Sequence, residues 1–302
     1  MRQDFLRCEL DDLGALRLQG ADAGRFLQGQ LSNDVLRVAP GRSVLAGFHT
    51  PQGRTIALLR LVYLEANDLL AIVPRERVAP LQQRLSKYVL RSKVTLTDAS
   101  AHWRFAGLIG EPSAEAGALP WPTDTQRRFA DTTVVCLGGD PGRWIAIWPD
   151  TAEPLLPPTV PAGRDHWREL EVRAGLPQVY APTSEQFVAQ MLNLDAIGAI
   201  AFDKGCYTGQ EVIARAHYRG RVKRRLQRFR TRGPQALAPG ETGVLPDGRT
   251  FSVIEAARLA DGRCEFLAVA RLADAPAESA APAESARPVD AESLPLPYPL
   301  PE

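Results

Sequence analysis

One cysteine stands among residues that can activate a thiol. Cys206 lies in the stretch DKGCYTGQE, two residues after Lys204 and just ahead of a predicted helix. A nearby cation and the partial positive charge of a helix start both stabilise a thiolate. This context predicts a nucleophile or a transient metal ligand. The alternative is an inert, buried thiol, as in most free cysteines, but the Lys, Gly and Tyr neighbours favour a functional one.

The residues after the cysteine predict how that helix begins. Thr208 and Glu211 have the spacing of a capping box, which places the N-cap at Thr208. Gly205 and Gly209 leave the backbone open to close approach. No general base is evident, because the sequence does not place His217 against the sulfur. A Cys–His hydrolase is therefore only weakly supported.

A basic run follows. Residues 219–232 contain eight Lys and Arg and no acidic residue. One interpretation is a site for an anion, such as phosphate, a polyglutamate tail or RNA. The other is a charged strand edge that discourages pairing with other chains, and the sequence supports both equally. Only Tyr218 and Phe229 interleave with the cations, so a stacking platform is not indicated, and we expect no direct binding of nucleic acid.

Composition restricts the class of protein. The 302 residues are 45% hydrophobic and 24% charged, with a net charge of +1, which is typical of a globular chain without bulk attraction to acidic partners. The four cysteines form no CxxC pair, so we expect no resident metal site. The start, MRQDFLRCEL, lacks an apolar signal core, and no run of about 20 apolar residues occurs. We therefore expect a cytoplasmic protein without a membrane span.

The hydrophobic periodicity and the positions of proline and glycine divide the chain into modules. Residues 44–148 predict antiparallel strands with a helix, an α+β module. Five prolines in 149–163 mark a connection. Short strands return over 226–272 and indicate a small barrel. The repeats in 273–292 predict a disordered linker. The apolar tail, 293–302, is either docked on the body or a ragged end.

Several segments together resemble one family. They are Lys204-Gly205-Cys206-Tyr207-Thr208-Gly209-Gln210-Glu211 with Ala214-Arg215, Gln28-Gly29-Gln30-Leu31-Ser32-Asn33-Asp34-Val35, Ala174-Gly175-Leu176-Pro177, Gln186 to Leu194, and Leu296-Pro297-Tyr298. The chain resembles the YgfZ family, folate-binding proteins related to the glycine-cleavage T-protein, an aminomethyltransferase. The resemblance covers nearly the whole chain, and the cysteine motif is its most specific part.

The resemblance implies an architecture. It is an α+β, three-domain, aminomethyltransferase-like cloverleaf with an inserted ferredoxin-like module and a small C-terminal β-barrel. The domains that we expect are a discontinuous folate-binding domain, 1–43 and 160–225, an inserted domain, 44–148, and a barrel, 226–272. The linker 273–292 and the tail 293–302 follow the barrel.

The resemblance also implies a function. It is a folate-binding accessory role in the assembly or repair of iron–sulfur enzymes, including tRNA-modifying ones, with tetrahydrofolate or a derivative bound. The partners implied are folate and iron–sulfur client enzymes. Cys206 is implied as the essential thiol, with motif support from Lys204, Gly205, Tyr207, Gly209, Gln210, Glu211 and Arg215. Trp167 and Leu13 are implied as folate contacts, although Trp167 also fits a core position on an amphipathic helix.

Three departures from the family pattern matter. Leu13 follows Leu10-Asp11-Asp12 where relatives have a tryptophan, so ring stacking is lost there. Arg173 stands where many relatives have a glutamate, so an acidic anchor for the pterin is in doubt. The stretch 53–58 lacks the catalytic acid of the T-protein, although one-carbon transfer from a folate nitrogen needs charge stabilisation or proton transfer.

Two alternatives from other classes stay open. The first is a folate-dependent aminomethyltransferase, against which the missing acid argues. The second is an RNA-binding module that acts on tRNA through cations such as Arg224 and Arg225.

Overall fold

A computed structural model of the chain describes residues 5–111, 122–220, 222–273 and 287–301. Its contacts group the chain into two compact units. The first unit comprises Met1–Phe48, Ala57–Arg164 and Asp203–Tyr207. The second comprises His49–Ile56, Asp165–Phe202 and Thr208–Glu302. The domain boundaries predicted above stay a prediction.

Strands predominate in the described residues. They are β1 (Phe5–Glu9), β2 (Leu13–Gln19), β3 (Val44–His49), β4 (Thr55–Glu65), β5 (Asp68–Pro74), β6 (Thr95–Asp98), β7 (Trp103–Gly110), β8 (Gln126–Phe129), β9 (Thr132–Gly138), β10 (Gly142–Pro149), β11 (Thr159–Pro161), β12 (Arg224–Thr231), β13 (Thr242–Val244), β14 (Thr250–Arg258), β15 (Cys264–Arg271), β16 (Arg287–Pro288) and β17 (Ala291–Leu294). The α-helices are α1 (Ala23–Gln28), α2 (Arg75–Ser86), α3 (Arg164–Arg173) and α4 (Gln210–Tyr218). Several sheets with few helices confirm the α+β class.

Two sheets lie in the first unit. One has the strand order β11-β1-β7-β10-β9-β8, in which β1 pairs in parallel with β11 and antiparallel with β7. Its core contains Trp144 and Trp148. The other has the order β3-β4-β5-β2-β6. Helix α2 contacts β2, β5 and β6 of this sheet. It buries Val78, Leu81 and Leu85, the residues whose helical spacing the sequence shows.

A tight turn joins β3 to β4, as the Pro-Gln-Gly sequence predicts. The backbone N–H of Thr50 donates to the carbonyl of Arg54, and that of Gly53 donates to Thr50, both at 2.8 Å. Gly53 has φ +73°, a left-handed conformation that favours glycine. The turn is therefore held in one conformation by its own hydrogen bonds. The segment that contains it, His49–Ile56, belongs to the second unit.

The second unit contains a six-stranded sheet with the order β16-β13-β14-β15-β12-β17. Three phenylalanines, Phe229, Phe251 and Phe266, form its core with ring centroids 5.4 to 6.5 Å apart. This sheet occupies the region for which the sequence predicts a small barrel.

The C-terminal tail lies against its own unit. Strand β17 pairs antiparallel with β12, and the Tyr298 hydroxyl donates to the carbonyl of Gly175 at 2.7 Å. The docked alternative is therefore the one observed. Within the predicted linker, residues 274–286 lie outside the described part of the chain, whereas β16 and the first residues of β17 are paired strands. No helix among the described residues is long and apolar enough to cross a membrane.

Candidate functional site

The four cysteines differ sharply in exposure. Cys206 is exposed, whereas Cys8, Cys136 and Cys264 are buried, at 0%, 2% and 2% of their surface. Burial raises the pKa of Cys264 to about 11 and also raises the pKa of Cys136. A thiol reacts as its accessible thiolate. Cys206 is therefore the cysteine placed to meet a substrate, a metal or a partner.

Lys204 has a structural role that its position near the sulfur does not reveal. Its Nζ donates to the carbonyls of Gln28, Leu31 and Asn33 at 2.7, 2.7 and 2.8 Å. These bonds use all three donors of an ammonium group. Burial lowers the pKa of Lys204 to about 8, while Asp34 opposes that shift. The ammonium thus holds the cysteine loop to the segment 28–33 of the same unit.

The segment that Lys204 binds is itself folded by side-chain hydrogen bonds. The Gln28 amide accepts from the backbone of Val35 at 2.8 Å and donates to Asp34 at 3.1 Å. Asn33 donates to the carbonyl of Leu45 at 2.7 Å. The amides in Gln28 to Val35 therefore shape the segment that binds Lys204, and the two motifs, distant in the sequence, meet in the fold.

The predicted capping box is wrong. Helix α4 begins at Gln210, its N-cap is Gly209, and no side chain caps it. Glu211 pairs instead with Arg215, 3.1 Å away on the next turn. Gly209 has φ +83°, and a Cβ at this position would lie 2.5 Å from the carbonyl oxygen of Thr50. The close approach to the β3–β4 turn thus requires glycine, and the glycine takes the N-cap position from Thr208.

A buried histidine adjoins this glycine. His49, the last residue of β3, is fully buried, and neither ring nitrogen has a hydrogen-bond partner among the described residues. Burial lowers its pKa to about 3, so the imidazole is neutral. A Cβ on Gly209 would lie 3.3 Å from the Cβ of His49. Sequence reasoning missed His49, because nothing in its local pattern distinguishes it from a strand-end residue.

The two predicted folate contacts lie in different units. Leu13 begins β2 in the first unit and is half-buried. Trp167 lies on α3 in the second unit and is 2% exposed. In this conformation its indole offers almost no surface, as in the core position that the sequence also allows.

The end of α3 and the residues after it carry no acidic anchor for a pterin at position 173, but they contain other polar groups. Arg173 forms an ion pair with Glu169 on α3 and lies 3.7 Å from Glu265. Gln178 follows a few residues later, and its Oε1 is buried without a hydrogen-bond partner among the described residues. Gln178 is therefore an available acceptor that sequence reasoning did not single out.

The basic run divides into two parts. Arg225 is buried and forms a bidentate pair with Asp195, both contacts at 3.0 Å. Further along β12 and beyond it, three arginines pair with acids that are distant in sequence: Arg228 with Glu265, Arg230 with Glu292 and Arg232 with Asp290. These four arginines stabilise the sheet of the second unit. The structure therefore favours the structural interpretation for these four arginines, whereas Arg219, Lys223 and Arg224 form no ion pair among the described residues.

Within the described ranges, no group of three His, Cys, Asp or Glu residues could hold a metal ion. The arrangement instead offers one exposed thiol on a loop fixed by Lys204. A single thiol does not hold a stable cluster alone. A metal at Cys206 would therefore need ligands from another molecule.

Comparisons with known proteins agree with this picture. A scan against protein-family models found no match. The chain is 32% identical to the tRNA-modifying protein YgfZ of Edwardsiella ictaluri over 311 residues, which cover 96% of this chain and 91% of the relative. It is 33% identical to the tRNA-modifying protein YgfZ of Yersinia enterocolitica over 315 residues, or 97% and 92% of the two chains.

The fold has a solved counterpart. The crystal structure of the glycine cleavage system aminomethyltransferase T from Bartonella henselae superposes with a TM-score of 0.67. The match covers 89% of this chain and 79% of the other, at 13% identity, and so shows the fold alone. The level and extent of identity to the curated relatives go further and show that the chain belongs to the YgfZ family.

Proposed function

We propose that the chain is a folate-binding accessory protein that supports the assembly or repair of iron–sulfur enzymes, including tRNA-modifying ones. Cys206 is its working thiol, either as a nucleophile or as a transient ligand to a partner's iron. The observation that carries this proposal is the exposure of Cys206 on a loop that Lys204 anchors to three backbone carbonyls.

The connection to tRNA rests on family membership, because curated relatives bear the name tRNA-modifying protein. The chain itself has few reactive groups with which to modify a nucleobase. It presents one exposed cysteine and, among the described residues, no metal-binding cluster. We therefore assign it to the support of a modifying enzyme rather than to the modification itself.

A folate fits the second unit in one testable respect. A pterin ring donates hydrogen bonds through its amino group and ring N–H, so its site needs buried acceptors. The Oε1 of Gln178 is such an acceptor without a partner among the described residues. We assign Gln178 and Trp167 to the ring, and Leu13 stays a predicted contact. Because Trp167 is 2% exposed, its indole must become accessible when the ring binds. When bound, tetrahydrofolate supplies a nitrogen that carries a one-carbon unit.

Aminomethyltransferase turnover is not part of the proposal. The stretch Gly53 to Leu58 contains no acid, and Ala57 within it is 1% exposed. Without an acid there, a transferred one-carbon unit lacks the proton transfer or charge stabilisation that its release needs. The proposal also includes a cytoplasmic location. It further includes iron–sulfur client enzymes as binding partners.

Complementation tests the role of the thiol. A bacterial strain that lacks its own YgfZ-family gene is given wild-type, Cys206→Ser or Cys136→Ser protein. The readout is the tRNA nucleoside whose synthesis needs an iron–sulfur enzyme, quantified by mass spectrometry. We expect wild type and Cys136→Ser to restore the nucleoside and Cys206→Ser to fail at equal protein level. Full restoration by Cys206→Ser would overturn the assignment of the working thiol.

A further inference from the structure

Phe202 meets two aromatic rings at the end of α4, those of the adjacent residues His217 and Tyr218. Phe202 stacks on His217 with centroids 3.8 Å apart and an interplanar angle of 15°. Tyr218 meets both rings edge-on, at 6.2 Å from Phe202 and 4.7 Å from His217. Tyr218 is 68% exposed. The group, hereafter the aromatic trio, therefore presents the ring of Tyr218 to solvent, where a flat ligand can stack on it.

Cations without internal partners follow the aromatic trio in the chain. Arg219 comes directly after Tyr218, and Lys223 and Arg224 follow within six residues of it, ahead of the arginines that pair within the sheet. None of the three forms an ion pair with any residue in the described ranges, whereas Arg225 forms a bidentate pair with Asp195. No acid lies between 212 and 232 to neutralise them locally. Their charge is therefore available to an anionic partner.

We propose that the aromatic trio and the cations Arg219, Lys223 and Arg224 form a binding surface for single-stranded RNA. Bases stack on exposed aromatic rings, and a basic border follows the phosphates; this combination is how proteins bind single strands without reading sequence. An acidic peptide would use the cations but leaves the exposed ring of Tyr218 without a role. This proposal differs from the sequence-based expectation of no direct nucleic-acid binding, which rested on only two aromatic residues near the cations, Tyr218 and Phe229. Phe229 is in fact in the sheet core.

This inference goes beyond the proposed function, because it requires neither folate nor the thiol. It gives the protein a direct contact with RNA in addition to a client enzyme. Cys206→Ser protein should therefore bind RNA as wild type does, so the two proposals can fail independently.

The test is fluorescence anisotropy of a labelled 12-nucleotide RNA of mixed sequence, titrated with full-length protein at low salt. Tyr218→Ala should weaken binding about tenfold, whereas Tyr218→Phe should bind like wild type because it keeps the stacking face. Lys223→Ala and Arg219→Ala should each reduce the slope of log affinity against log salt by about 0.7. Arg258→Ala, at an exposed arginine of β14, is the matched control and should change neither quantity.

Three results would overturn the proposal. They are no binding by wild type at low salt, equal binding by Tyr218→Ala and wild type, and displacement of the RNA by a polyglutamate peptide whose own affinity falls equally in Tyr218→Ala. The last result would identify the surface as a site for an acidic peptide.

Discussion

At the scale of single residues, His49 is the group whose environment demands the most explanation. A buried polar group normally has a hydrogen-bond partner, yet both its nitrogens lack one among the described residues. Its proximity to Gly209 suggests why it is tolerated, because the β3–β4 turn and the start of α4 must approach closely there. The buried imidazole packs at this close approach, and it lowers the free energy of unfolding by an amount that depends on pH.

The pH dependence has a definite sign. Burial lowers the pKa of His49 to about 3 in the folded chain, against 6.5 for an ordinary histidine. The unfolded chain therefore takes up the proton first, and the stability that the neutral imidazole permits is lost as pH falls below 6.5. Between pH 7.5 and 5.0 the loss is about 2 kcal/mol.

His49→Leu should remove this dependence. The gap in free energy of unfolding between His49→Leu and wild type should widen by about 2 kcal/mol from pH 7.5 to 5.0, in favour of the variant. Urea denaturation at both pH values measures it. His102→Leu, at an exposed histidine, is the control and should show no widening. A gap that is the same at both pH values would mean that His49 is not a buried neutral group.

At the scale of elements, Lys204 connects two segments that the sequence shows as separate motifs. Its three hydrogen bonds join the cysteine loop to the segment after α1. Methionine has similar length but no donors, so Lys204→Met leaves three carbonyls without their partner. Leu31 and Asn33 are buried, and the penalty for such groups is large.

We expect Lys204→Met to lower the free energy of unfolding by about 3 kcal/mol. Lys87→Met, at an exposed lysine just after α2, should stay within about 0.5 kcal/mol of wild type. Urea denaturation of wild type and of both variants measures these differences in the free energy of unfolding. Equal stability of the two variants would show that the triple contact is not an anchor.

A carboxylic acid couples the sheet of the second unit to the segment after α3. The Tyr180 hydroxyl donates to Glu255 on β14 at 2.7 Å. Burial, reinforced by the charge of Glu171, raises the pKa of Glu255 to about 7, whereas Tyr180 and Arg168 oppose the shift. An acid with a raised pKa binds its proton more tightly in the folded chain. Its contribution to stability is therefore lost as pH rises from 4.5 to 7.

Glu255→Gln should reverse that loss, because an amide stays neutral and still accepts from Tyr180. The advantage of the variant in free energy of unfolding should grow by about 2.5 kcal/mol between pH 5 and pH 8. Thermal or urea denaturation at the two pH values measures it. Glu241→Gln, at an exposed glutamate of the same unit, is the control. An advantage that shrinks towards pH 8 would contradict this account.

Local patterns predicted much of the fold, and long-range contacts explain what they missed. The strands around the Thr50–Arg54 turn and the buried face of α2 follow from alternation, turn chemistry and helical spacing, which are encoded in adjacent residues. The N-cap of α4 does not, because Gly209 is selected by the carbonyl of Thr50, far away in sequence. The same holds for Arg225, whose buried partner Asp195 cannot be inferred from a run of cations.

The candidate site shows the same division. The exposed cysteine and its motif are evident from the sequence, because Lys, Gly and Tyr neighbours distinguish it from a core thiol. The aromatic trio is not evident, because Phe202 and His217 meet only after folding. His49 and Gln178 are recognisable only by the hydrogen bonds that they do not make.

At the scale of the whole molecule, the chain combines the fold of a catalytic protein with a different set of reactive groups. The chain has the fold of an aminomethyltransferase and belongs to the YgfZ family. It lacks an acid in the stretch 53–58 and keeps an exposed thiol instead. We propose that such a chain still binds tetrahydrofolate, with Trp167 and Gln178 at the ring.

Calorimetric titration of the purified full-length protein with tetrahydrofolate, without oxygen, tests this claim most directly. We predict saturable binding by wild type and by Trp144→Phe, a control at an equally buried tryptophan of the first unit. Trp167→Phe keeps most of the packing but loses the indole, and should bind at least about tenfold more weakly, a loss of about 1.4 kcal/mol. Absence of binding by wild type, or unchanged affinity in Trp167→Phe, would contradict the account.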